Sequence, residues 1–209
     1  MIVVWNGIVV GLALAILVGP ILFSLIQRSI EQGIKAGFWV ASGIWISDVL
    51  FIVGIIVGVA HVKDLVTSPY FEPILGLLGG FVLIGIGAGM FVSKPATDVN
   101  QVGEMDVLSS RWRLWLEGFL INTINPFSVV FWTGLITAKS VEMDLFSTSS
   151  YLFFGAIMGT IVLTDSIKVV LAEKIRLYLS PKHILRMRKI SGIALFLFGI
   201  GMMIRVTLF

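Results

Sequence analysis

The sequence predicts an all-α membrane protein: six transmembrane helices arranged as two inverted three-helix repeats. Three observations carry this reading. First, 57% of the 209 residues are hydrophobic and only 13% are charged, whereas a soluble domain is about half apolar and about a quarter charged. Second, the apolar residues fall into six long blocks, and an uncharged apolar block of about 18 residues or more reads as a transmembrane helix. Third, the third and sixth blocks nearly repeat each other. "GGFVLIGIGAGM" laid on "SGIALFLFGIGMM" places Gly80 on Gly192, Leu83 on Leu195, Gly87 on Gly199, Gly89 on Gly201 and Met90 on Met202, a constant offset of 112.

The blocks run roughly over 2–27, 36–60, 73–93, 114–138, 151–172 and 190–209. The first is uncharged before Arg28 and has no basic leader of the kind a signal peptide carries. The second holds one charge, Asp48; the fourth is interrupted by "NTINPF"; the fifth holds Asp165 and Lys168; the sixth has Arg205 near its end. The whole reads as a single transmembrane transporter domain over 1–209: repeat 1 over about 1–93, a cytoplasmic connection over about 94–113, and repeat 2 over about 114–209.

Basic residues give the expected orientation. Arg28, Lys35, Lys94, Arg111, Arg113, Lys174, Arg176, Lys182, Arg186, Arg188 and Lys189 lie in the connections on one side, and Lys63, Lys139 and Arg205 on the other. Eleven against three places the first side in the cytoplasm and both termini outside. The formal charge of +3 is confined to these connections, which reads as membrane orientation, with some contact to anionic lipid, and not as nucleic-acid binding. No cysteine is present, which excludes a disulfide framework and a thiolate metal site.

The other blocks repeat their landmarks in the same order. Gly19-Pro20 in block one answers to Asn125-Pro126 in block four, and Asp48 in block two to Asp165 in block five, at offsets of 106 and 117. Three spans is an odd number, so the second half enters the membrane inverted, an architecture common in secondary transporters. Pro20 and Pro126 each remove a helical hydrogen bond inside an apolar span. The freed carbonyls need partners in protein or trapped water, because lipid offers none. Paired breaks in the two halves point to a midplane binding site. Asn122 and Asn125, within a turn of Pro126, either satisfy the opened backbone or hold a polar substrate.

An ionised Asp at the position of Asp48 costs about 2.5 to 3.5 kcal/mol on insertion scales, so it is expected to be buried in the bundle and to act in transport. Asp165 and Lys168, three apart, share a helical face: either an ion pair, or Lys168 snorkels towards the basic side and Asp165 takes a transport role. Glu117 lies near the cytoplasmic end of block four and reads as interfacial. His61 and His183 both lie outside the spans, which argues against a histidine metal centre.

Taken together these segments resemble the lysine exporter (LysE/RhtB) family of amino-acid efflux proteins over nearly the whole chain. The resemblance rests on "VGPILFSLIQRSIEQGIKAGFWVASGIWISDVLF", "LEGFLINTINPFSVVFW" and "ISGIALFLFGIGMMI". It implies export of an amino acid or related small metabolite, coupled to protons, with Gly19, Pro20, Asp48, Asn122, Asn125 and Pro126 as functional positions. Two positions depart from the family pattern. Ser47 stands before the second-span Asp where the family often has Gly, and Val18 stands where the first Pro of a Pro-Gly-Pro would be.

The expected substrate-binding or transport residues are thus Gly19, Pro20, Asp48, Asn122, Asn125, Pro126, Asp165 and Lys168. The expected partners are a small zwitterion, protons and membrane lipid, with no cofactor, and the Gly-rich faces of blocks three and six also suit a homo-oligomer. The expected location is the cell membrane. A divalent-cation exporter, which needs clustered oxygen ligands, and a non-transport scaffold are the alternatives. No nucleophile–base pair or metal-ligand spacing suggests an enzyme. Because the chain lacks cysteine, single introduced thiols report sidedness directly. Ser149→Cys should react with an impermeant reagent added outside intact cells, and Ser109→Cys only after the membrane is opened. The reverse pattern overturns the orientation.

Overall fold

The structure is a computed structural model that describes residues 1–17, 19–66, 70–92, 104–176, 178–179 and 181–208. Val18, Lys94 and the first part of the expected 94–113 connection lie outside the described residues, as do the side chains of His61 and Lys63. The described chain is helical throughout, in the order α1 (Ile2–Ile16), α2 (Pro20–Gln32), α3 (Ile34–Val66), α4 (Phe71–Val92), α5 (Glu104–Thr123), α6 (Pro126–Glu142), α7 (Thr148–Arg176) and α8 (Pro181–Leu208).

Two of the expected spans are broken helices. Gly19 stands as N-cap before Pro20, the first residue of α2, and α1 and α2 meet at 72°. Asn125 stands in the same position before Pro126, and α5 and α6 meet at 60°. A proline at the first helical position loses nothing, because its missing N–H has no intrahelical acceptor there. Both prolines therefore start new helices and do not merely kink old ones. The expected connection 94–113 is helical from Glu104 onward, so α5 begins well before the apolar block that marks it in the sequence. Gly33 closes α2 with φ of 89°, the left-handed region that favours glycine, and its N–H bonds to Ser29 O before α3 starts at Ile34.

Among the described residues, three helical stretches are long and apolar enough to cross a membrane: Ile34–Gly58, Thr148–Arg176 and Lys182–Val206. Counting each bent pair as one span gives five, and Gly76–Phe91 is a further, shorter apolar helix. The outward faces are apolar too. Leu50, Val57, Phe81, Leu163 and Leu197 are all more than half exposed, the inverse of a soluble surface and the form that hydrocarbon favours.

Helices α1 and α7 pack side by side and run parallel, with Gly7 against Phe153 and Gly11 against Ile157 and Thr160. Helices α3 and α5 do the same, with Val40 against Gly118 and Ile44 bonded to Asn122. Helices α4 and α8 pack antiparallel through four glycines. A Cβ on Gly80 would lie 2.8 Å from Gly199 O and one on Gly199 2.7 Å from Gly80 O; one on Gly87 would lie 2.7 Å from Gly192 O and one on Gly192 3.1 Å from Gly87 O. Only glycine lets these backbones approach so closely. Buried side chains complete the packing in three clusters, centred on Trp132 and Phe153, on Leu25 and Val40, and on Leu83 and Leu195.

The glycine contacts give a direct test. Gly87→Leu should cost about 1 to 3 kcal/mol through overpacking and lower the thermal midpoint in detergent. Gly85→Leu, whose Cβ meets nothing within 4 Å, should be tolerated. Equal midpoints for the two variants would contradict the α4–α8 packing.

Candidate functional site

The two helix breaks face one cavity of about 350 Å³, at the lower end of the roughly 300–1,000 Å³ found for ligand sites. All eight residues singled out in the sequence line it: Gly19, Pro20, Asp48, Asn122, Asn125, Pro126, Asp165 and Lys168. Those residues come from α3, α7 and the two broken spans, so the cavity exists only once both halves of the chain are packed together.

Asn122 is the hub of its polar wall. Its amide donates to Asp48 Oδ1 at 2.7 Å and to Ile44 O at 3.2 Å, and its side-chain oxygen accepts from Ser128 Oγ at 2.7 Å. Trp132 Nε1 donates to the same Asp48 oxygen at 2.8 Å. Asp48 is 6% exposed and makes no ion pair among the described residues. The sequence offered no partner for Asp48; the structure supplies two neutral donors from elements 74 and 84 residues away. Next to this network Ser47 and Thr123 share a hydroxyl–hydroxyl bond of 2.8 Å, so Ser47 has a use that glycine would lack.

Asn125 divides its labour differently from Asn122. Its side chain accepts from Phe127 N at 3.1 Å and caps α6, which answers the backbone freed at Pro126. The matching end of α2 has Gly19 as N-cap and no side-chain cap, and its first-turn residues Ile21 and Leu22 line the cavity.

In the same cavity, Lys168 Nζ lies 2.9 Å from Asp165 Oδ1, and Trp45 Nε1 donates to Asp165 Oδ2 at 3.2 Å. Lys168 is thus drawn into an ion pair and does not snorkel away from it. Its side chain is 23% exposed and that of Asp165 7%.

A second polar cluster lies farther along α2 and was not legible in the sequence. Arg28 reaches Glu117 on α5 with Nε at 3.0 and 3.1 Å and Nη2 at 2.7 Å, and Ser24 donates to the same carboxylate at 2.7 Å. Glu31 lies 3.6 Å from Arg28 and 3.3 Å from Arg188 on α8. Arg188 also donates to Met90 O at 2.6 Å. Glu117 is therefore half of a cross-helix ion pair with Arg28. Arg28 and Arg188 are packed inside the fold, not free in connections; without them the basic bias is nine against three. Among the described residues no group of three or more His, Cys, Asp or Glu is placed to hold a metal ion.

A helical protein with apolar outer faces, two broken spans and an internal cavity carrying an unpaired acid has the form of a membrane translocator. Comparison with known proteins agrees. Residues 12–205 match the LysE type translocator family. The chain is 32% identical over 207 residues to "Putative amino acid efflux protein YcgF" of Bacillus subtilis (strain 168), covering 92% of this chain and 90% of that protein. It is 26% identical over 130 residues to "Leucine efflux protein" of Salmonella typhimurium, 62% of this chain and 59% of that one, and to the same extent to the Salmonella choleraesuis protein of that name. No solved structure matches the chain. The chain belongs to the LysE type translocator family. It is a multi-pass membrane transporter and not an enzyme.

The network makes a stability prediction. Asn122→Ala strips a donor from Asp48 and an acceptor from Ser128 at once, both in a buried setting. It should cost about 1 to 3 kcal/mol, read as a lower denaturation midpoint in detergent. Asn125→Ala, at an exposed cap, should cost less. A larger effect at Asn125 would contradict the hub.

Proposed function

We propose that the protein is a secondary exporter of amino acids or closely related small metabolites in the cell membrane, working by exchange with protons. The observation that carries this reading is the cavity. It joins two helix breaks to an acid, Asp48, that among the described residues hydrogen-bonds only to neutral donors. Membership of the translocator family and the amino-acid efflux names of the relatives support it.

An amino acid brings one ammonium and one carboxylate. The ammonium is matched to Asp48. The carboxylate is matched to the uncapped start of α2, where first-turn N–H groups and the helix dipole favour an anion. A proton and an ammonium neutralise the same carboxylate, so each excludes the other. Substrate leaves as a proton arrives, and the proton leaves on the other side before substrate binds again. That mutual exclusion is what converts a proton gradient into export.

Alternation needs two arrangements of similar energy, which an inverted repeat supplies. We read 1–93 and 114–209 as the repeats. Several contacts support this. Exchanging the halves turns α1 against α7 into α5 against α3, both parallel; α2 against α7 into α6 against α3; and α4 against α8 into itself. The glycines obey the same exchange. Gly80 meets Gly199 and Gly87 meets Gly192, while the sequence offset of 112 relates Gly80 to Gly192 and Gly87 to Gly199. Self-complementary contact of this kind is what a two-fold axis between antiparallel helices produces. With the basic connections inside, both termini face outward.

The test is uptake of labelled amino acids into inside-out vesicles with and without a pH gradient. The parent should accumulate substrate only with the gradient. Asp48→Asn keeps shape and hydrogen bonding but does not titrate. It should insert normally and lose gradient-driven accumulation. Asp48→Asn pumping as well as the parent removes Asp48 from the proton path. Accumulation of a divalent cation and of no amino acid by the parent replaces the substrate class itself.

A further inference from the structure

We propose that Lys168 sets substrate specificity: its ammonium occupies the carboxylate that a second positive charge on the substrate would need, which restricts the site to amino acids with uncharged, apolar side chains. This rests on the exporter reading above and adds to it the class of side chain accepted and the residue that enforces it.

Among the described residues the cavity carries three charged groups, Asp48, Asp165 and Lys168. Asp48 is matched by the substrate's own ammonium. Asp165 has both oxygens engaged from within the protein, Oδ1 by Lys168 at 2.9 Å and Oδ2 by the Trp45 indole at 3.2 Å. Lys168 and Asp165 both line the cavity, so a substrate side chain meets them as a closed pair. A basic side chain finds no free acid. An acidic side chain finds no free cation, and taking Lys168 for itself would leave Asp165 buried and unpaired. One ion pair thus excludes both signs of charge.

The rest of the wall favours hydrocarbon. Leu14, Ile21, Phe131, Ile161, Phe198 and Met202 come from five helices and present apolar surface. The Thr164 hydroxyl in the same wall is turned back on its own helix, at 2.9 Å from Thr160 O and 3.0 Å from Ile161 O. A charged group placed here would lose its hydration with nothing in return, whereas an aliphatic or thioether side chain loses none.

The geometry also says how to change the preference. Removing the Lys168 ammonium while keeping an apolar stem frees Asp165 and leaves room where the amine was. Lys168→Met should therefore admit a basic side chain. The experiment measures how well unlabelled leucine, methionine, lysine and glutamate inhibit exchange of labelled leucine in vesicles containing the full chain. In the parent, leucine and methionine should compete, while lysine and glutamate are weaker by about tenfold or more. In Lys168→Met the potency of lysine relative to leucine should rise about tenfold, with no gain for glutamate. Adding Asp165→Asn to Lys168→Met should abolish the gain, because the freed carboxylate is then gone.

Lysine competing as well as leucine in the parent overturns the proposal, as does a Lys168→Met protein that still exchanges leucine and still excludes lysine. If Lys168→Met is inactive or does not insert, the parent competition series decides alone. A parent that exchanges no amino acid at all overturns the exporter reading, a result distinct from exchange with the wrong preference.

Discussion

The fold depends on one constraint: hydrocarbon offers no hydrogen bonds, so any backbone left open within the membrane must be answered from inside the protein. Pro20 and Pro126 open the backbone in two spans, and the polar wall of the cavity lies beside those openings. At Pro126 the answer is local, since Asn125 caps the new helix. At Pro20 no side chain answers. That end of α2 is left facing the cavity. Two similar breaks thus have different fates because one N-cap is Asn and the other Gly.

The same constraint explains why the polar wall is a network and not a set of isolated groups. A carboxylate at depth is costly unless donors surround it. Asp48 obtains them from Asn122 and Trp132, and Asn122 in turn is fixed by Ser128 and Ile44 O. Three elements therefore meet at one carboxylate: α3, α5 and α6. Asp165 is held by a nearer device, a lysine three residues along its own helix and an indole from α3. One acid is held by neutral groups and the other by a charge, and this difference gives the cavity its chemical direction.

Below the cavity, the ion pairs of Arg28, Glu117, Glu31 and Arg188 join α2 of the first half to α5 and α8 of the second. Such pairs contribute little net stability once desolvation is counted. They tie the end of α2 opposite its first turn to α5 and α8. The glycine-lined contact of α4 with α8 has a complementary role. It lets two helices lie close without any polar interaction, and it leaves the polar groups to the centre.

Much of this protein follows from its sequence alone, for a physical reason. Membrane helices are apolar by necessity, so their breaks and their few charges stand out against a uniform background. Gly19-Pro20, Asn125-Pro126, Asp48 and Asp165 were visible as exceptions, and all of them line one cavity. The resemblance to a transporter family was legible for the same reason. What the sequence did not disclose is partnership. Trp132 and Trp45 look like ordinary apolar content until folding carries their indole N–H groups across 84 and 120 residues to Asp48 and Asp165. Glu117, Arg28 and Arg188 look like charges at span ends, and only packing turns them into cross-helix ion pairs. The start of α5 at Glu104 was hidden because a helix that extends beyond its apolar block carries no apolar signal. Sequence determines which groups are out of place in lipid; tertiary structure decides which of them satisfy one another and which are left for a ligand.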